Sequence, residues 1–255
     1  MHDTLGVNGF IWYVGAVEDI ESDPYKIGRV KVRVYNIHNP DKSVMPTSAL
    51  PWAQISQDPT SAAHEMVGKA PVGIKIGSLV WGFFMDGNHY QQPVVCGTFQ
   101  GIPGGKSDLT PLATGTDTIP NAGSTDEPAS TYKTKYPFNQ VQTFGSGHVV
   151  EYDNTPGAER IRVYHKSGSY DVTNPNGDKV SKSVNDGYVI IDNDNIVYIG
   201  GNLKVTIGGD ADVTVNGTCT VHNDVYVDGD VIASGISLIN HVHGDEDGTT
   251  GAPQG

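Results

Sequence analysis

The feature that most constrains this chain is a short repeat in its last third. Val189-Ile190-Ile191-Asp192-Asn193, Val197-Tyr198-Ile199-Gly200-Gly201, Val205-Thr206-Ile207-Gly208-Gly209 and Val213-Thr214-Val215-Asn216-Gly217 recur every eight residues, and Val225-Tyr226-Val227-Asp228-Gly229 follows after twelve. Two aliphatics spaced by two leave a strand on the same side, and the Gly or Asn behind them is expected to supply the positive φ of a sharp turn. A unit this small cannot bury its own aliphatics, so the units must stack and share a core with other chains; trimeric winding meets that need. Ten such aliphatics per chain, at about 1.5–3 kcal/mol each when fully buried, place tens of kcal/mol at stake in a trimer as an upper bound. A calcium-binding roll would instead need a nine-residue period with paired Gly and a regular Asp.

The remainder is also β-like. Thirty-two glycines and fifteen prolines in 255 residues, with few long apolar periodic runs, point to short strands and tight turns. Val30, Val32 and Val34 alternate with Lys31 and Arg33, which predicts a strand with buried valines and exposed charges. Further strands are expected over Ile11 to Val17, Ala53 to Ile55, Ser78 to Met85 and Pro93 to Thr98, with Asp86-Gly87-Asn88 as the hairpin between the last two. Five short strands in about ninety residues fit a small OB-type barrel. Gly, Pro, Ser, Thr and Asp then dominate a linker. The expected fold class is therefore all-β: an OB-fold barrel over residues 1–100, a linker over 101–145, an intertwined trimeric β-helix shaft over 146–240 and a metal-bound apex over 241–255.

A net charge of −13, or −39 for three copies, excludes strong electrostatic affinity for nucleic acid or an anionic membrane. No run approaches the roughly 18 apolar residues of a membrane helix, and the start lacks a basic-then-apolar signal; a soluble protein made in the cytoplasm is expected. Cys96 and Cys219 form neither a disulfide framework nor a metal spacing, and are read as small buried hydrophobes.

Chemistry concentrates at the end of the chain, in Ile239-Asn240-His241-Val242-His243-Gly244-Asp245. On an extended strand His241 and His243 project to one face, so three chains around an axis would offer six imidazoles. Six nitrogens suit an octahedral metal such as iron, whereas zinc more often takes four ligands. Such ligands must be neutral, so binding should weaken in acid. Glu18, Asp19, Glu21 and Asp23 read as a solvated turn, and Lys26, Arg29, Lys31 and Arg33 as an exposed face or partner contact. Ser61, His64 and Glu65 do not announce a catalytic triad. His165 and His222 are expected to be structural or surface residues.

Several segments resemble a known family, the central spike proteins of contractile-tailed phages and their relatives, which include the VgrG spikes of type VI secretion. Trp12-Tyr13-Val14-Gly15-Ala16-Val17-Glu18-Asp19, Asp23-Pro24 and Gly28-Arg29-Val30-Lys31-Val32-Arg33-Val34 look like the opening of the phage OB domain, and Leu50-Pro51-Trp52 and Thr60-Ser61-Ala62-Ala63 continue it. Ser146-Gly147-His148-Val149-Val150-Glu151, Thr155-Pro156-Gly157 and His165-Lys166-Ser167-Gly168-Ser169 are similar to the start of the shaft. The resemblance implies a homotrimer in the virion tail baseplate, seated on the tail hub protein and driven mechanically through a host outer membrane. It also implies one iron ion per trimer with six His ligands, and only His241 and His243 match that motif. Some relatives carry a lysozyme domain where this chain has its linker, so peptidoglycan cleavage is not carried over and no enzyme activity is expected. A trimeric tail fibre or receptor-binding protein is the main rival, although fibres usually end in a sizeable head. A cell-wall hydrolase is the second rival. Phage, bacteriocin and secretion machine stay open as the particle.

Overall fold

The computed structural model describes residues 9–65, 67–100, 133–245 and 248–249. Most of the expected linker, residues 101–132, and the last residues of the expected apex, 250–255, lie outside them. The chain divides after Val189 into two units. Among the described residues no helix is long and apolar enough to cross a membrane.

In the first unit five strands, β1 (Ile11–Asp19), β2 (Val30–Val34), β3 (Trp52–Ile55), β4 (Leu79–Phe84) and β5 (Pro93–Phe99), close into a barrel of order β1-β2-β3-β5-β4. All neighbours run antiparallel except β3 and β5. Alternation turns Tyr13 and Val17, Val32 and Val34, and Val80 and Phe84 into one core. Gly82 is needed where β4 meets β5, because a Cβ there would lie 1.8 Å from the Val94 carbonyl oxygen. The Tyr13 hydroxyl donates to that same oxygen at 3.0 Å, and burial pushes its pKa up. The connection from β4 to β5 spans residues 85–92, longer than a tight hairpin; the Asp86 carboxylate orders it by accepting from the Gln91 and Gln92 N–H groups.

The polar face of β2 differs from the sequence expectation. All five of its residues are buried, with Lys31 only 7 % and Arg33 only 6 % exposed. Loop residues 39–48 cover them. Lys31 donates from Nζ to the Ser48 carbonyl at 2.6 Å and sits 4.8 Å from the Trp52 ring centroid. Arg33 donates to both Glu18 oxygens, at 2.8 and 3.0 Å, and to the Asn39 and Met45 carbonyls. The acidic cluster is a solvated turn only in part: Asp19 accepts from the N–H groups of exposed Glu21 and Ser22, whereas Glu18 and Asp23 are drawn under cover. The Arg33 hydrogen bond holds the Glu18 carboxyl down at about 2. Burial would raise Asp23, but Arg29 and the N–H groups of Tyr25, Ile27 and Arg29 hold it at about 2 as well. A carboxylate that accepts this many bonds keeps its charge under cover.

A second sheet is a meander of β6 (Asn139–Thr143), β7 (Val149–Asp153), β8 (Arg160–Tyr164), β9 (Tyr170–Thr173) and β10 (Lys179–Lys182), in sequence order. Its first strand lies within the stretch expected as linker. One face is ionic and buried: Glu151, 0 % exposed, accepts from Arg160 at 3.0 Å and from Asn139 at 2.7 Å, and lies 3.6 Å from Arg162.

The second unit holds most of the repeat. Its backbone bends at residues 192–193, 200–201, 208–209 and 216–217, then at 222–223 and 228–229. A reversing turn, Ser234–Gly235, joins β11 (Ile232–Ala233) to β12 (Ile236–Ser237), and β13 (Gly244–Asp245) pairs with β14 (Gly248–Thr249).

Candidate functional site

The repeat and the two histidines beyond it carry the functional case. The glycines at the eight-residue bends do not take the positive φ expected of them; of the glycines described in the second unit, only Gly235 and Gly248 have it. The chain turns a corner at each bend without reversing, and a corner needs no left-handed residue. From residue 217 onward the spacing shortens from eight to six, so the apparent twelve-residue gap is two shorter units, Thr218–Asn223 and Asp224–Gly229. The pattern survives in them as Cys219 with Val221 and Val225 with Val227.

A single chain leaves these aliphatics wet. Val197 is 70 % and Ile199 43 % exposed, Val213 81 % and Val215 51 %. Cys219 is exposed too, contrary to its reading as a buried residue.

Ahead of His241, the Ser237 carbonyl accepts its backbone N–H at 3.1 Å, and the Ser237 hydroxyl accepts the Asn240 N–H at 2.8 Å. The turn so formed places the His241 Nδ1 3.1 Å from both the Ser237 and Leu238 carbonyl oxygens. Carbonyls only accept, so Nδ1 carries a proton, and in the neutral ring the lone pair is then on Nε2. Fixing one ring nitrogen on a carbonyl is the usual support for a metal-ligating imidazole. The His243 ring lies edge-on, 5.1 Å away at 85°. Among the described residues no three His, Cys, Asp or Glu side chains of one chain gather to hold an ion.

Other candidates resolve into structure. The Ser61 hydroxyl donates to Gln57, while His64 is exposed and 3.9 Å from exposed Glu65, so no triad forms. Arg29, Lys31 and Arg33 are taken up by internal partners. His165 stacks on His148 at 4.4 Å, each Nδ1 lying within reach of a backbone N–H, and His222 is exposed. The apolar outer wall of the barrel, described below, escaped the sequence reading.

The fold defines an all-β protein with an OB-type barrel, followed by a repeat whose aliphatics a single chain leaves exposed. Residues 35–154 match the Gp5 N-terminal OB domain family, a span that starts just after β2 and ends in the second sheet. The chain is 30 % identical over 256 residues to Protein Gp5 of Vibrio phage KVP40, covering 73 % of this chain and 61 % of the relative. It is 40 % identical over 100 residues to the pre-baseplate central spike protein Gp5 of Enterobacteria phage T4, covering 37 % and 17 %. The chain is thus similar to these phage Gp5 proteins, one of them a pre-baseplate central spike protein, and to their N-terminal OB domain over the matched residues; it spans about three fifths of the first relative's length and about a sixth of the second's.

Proposed function

We propose that this chain forms the central spike at the tip of a contractile tail baseplate. Three copies wind their repeats into one β-helical shaft over residues 146–240, their barrels seat on the hub protein, and the shaft is pushed through the host outer membrane when the sheath contracts. The observation that carries the reading is the wet repeat: surface as apolar as Val197 and Val213 is stable in water only when like chains cover it. The shortening from eight to six residues supports a narrowing point, since each unit loses two residues, about 7 Å of strand. His241 and His243 of three chains would hold one iron ion at that point, where the metal supplies a structural clamp. The role is mechanical and needs no active site.

Native mass spectrometry with elemental analysis tests this on the full chain and on a His241→Ala, His243→Ala double variant. Three chains with one iron, lost in the variant while the trimer survives, is the expected result. A monomer would sink the spike reading. A trimer without metal would sink the clamp and put the fibre reading ahead.

A further inference from the structure

The outer wall of the barrel is apolar at each outward position of β1 from Trp12 to Ala16 and of the β4 and β5 residues paired alongside. Across β1 and β4 the pairs are Trp12 with Phe83, Val14 with Trp81, and Ala16 with Leu79. Across β4 and β5, Phe83, Trp81 and Leu79 meet Val94, Gly97 and Phe99. The rings form a continuous layer: Trp12 lies 5.4 Å from Phe83 and 5.9 Å from Trp81, Phe10 4.8 Å from Phe83, and Phe99 6.5 Å from Trp81. Trp12 is 58 % and Phe99 48 % exposed. A barrel this size needs its inward row for a core; nothing in its own folding requires a second apolar row facing water.

We infer that this wall is where the barrels of neighbouring copies of the chain meet. The inference rests on the trimeric reading above. Phe10, Trp12 and Phe99 are close to half exposed and Trp81 and Phe83 less so; at about 150–250 Å² for each aromatic side chain, the five present on the order of 400 Å². That is within the roughly 300–600 Å² of the largest apolar patch on a lone soluble protein, a patch that is often functional, and about half of the roughly 800 Å² each side brings to a stable interface. Charge favours a second copy as the occupant. Each chain carries −13, so like chains repel over most of their surface, whereas this grid holds no charged side chain.

Tryptophan accessibility tests the inference, because Trp12 and Trp81 lie in the wall and Trp52 outside it. In a full-length Trp52→Phe protein, acrylamide quenching of the two remaining tryptophans is expected to be several-fold weaker in the trimer than in the same protein made monomeric by Val197→Asp and Val205→Asp. A second measurement needs no monomer: Val14→Cys treated with a short bismaleimide should add chain-to-chain cross-links above the background from Cys96 and Cys219. A trimer whose wall tryptophans quench as freely as in the monomer, or that gains no Val14→Cys cross-link, overturns the inference and leaves the wall to a different partner. A wild-type chain that is itself monomeric by mass overturns the trimeric reading and this inference with it.

Discussion

Replacing Glu18 by Gln removes the counter-charge of Arg33 while keeping the shape of the side chain. Arg33 is 6 % exposed, so its charge cannot turn to water when the carboxylate is gone. The Glu18 carboxyl falls from 4.5 to about 2, chiefly through Arg33, with Thr47 and Lys42 adding to it against the cost of burial. At about 1.4 kcal/mol per pKa unit these partners together contribute about 3 kcal/mol, or about 2 kcal/mol once solvent screening at this 11 % exposed side chain is allowed for. Because the folded pKa is depressed, the contribution is fully present above the unfolded value of 4.5 and is lost as pH falls towards 2. All three tryptophans lie in the barrel strands, so urea unfolding followed by tryptophan fluorescence reports the barrel within the full chain. Glu18→Gln should be less stable than wild type by about 2 kcal/mol at pH 7, and the gap should shrink to about a quarter of that by pH 2.5. A gap under about 0.5 kcal/mol at pH 7, the size of an ordinary surface change, or one unchanged down to pH 2.5, would refute the reasoning.

Asp23→Ala frees three loop N–H groups and Arg29 together, and should lower barrel stability by about 2–4 kcal/mol in the same assay, with the loss shrinking as pH falls from 3.8 towards 2. Phe84→Ala empties a side chain that is 1 % exposed and should cost about 3–5 kcal/mol in urea unfolding. The Val197→Asp, Val205→Asp pair should abolish the trimer on a sizing column while leaving the barrel's unfolding midpoint within about 0.5 kcal/mol of wild type. A trimer that survives would mean that these valines are not in the shared core.

The barrel was legible wherever period-two alternation met a turn signal, as at Val30, Val32 and Val34. What alternation could not reveal was the cover on the other face of β2: the carboxylate that holds Arg33 comes from β1 and the carbonyls from residues 39 and 45, and nothing in Val-Lys-Val-Arg-Val announces partners so far along the chain. Ile11-Trp12-Tyr13-Val14-Gly15-Ala16-Val17 hid the aromatic wall for the opposite reason. A run that is apolar at every position gives no phase, so the inward row of Tyr13, Gly15 and Val17 and the outward row of Trp12, Val14 and Ala16 look alike until a barrel separates them. The six-residue unit Thr218–Asn223 is hard to read because Cys219 stands where a larger aliphatic sets the template. His241 and His243 could be picked out by type and spacing, but the carbonyls that fix the His241 tautomer come from a turn that the letters Ser-Leu-Ile-Asn do not single out.

Closure of the barrel bears on the order in which such a molecule is made. A ring of five strands offers no unpaired edge, so each newly synthesised N-terminal part can finish folding on its own and wait without recruiting strangers. The repeat has no such independence. Under the proposed trimeric winding it would gain partners only when three chains meet, which would make assembly depend steeply on local concentration. Synthesis of several copies from one message would raise that concentration, and a solitary chain would persist with a finished head and an adhesive tail.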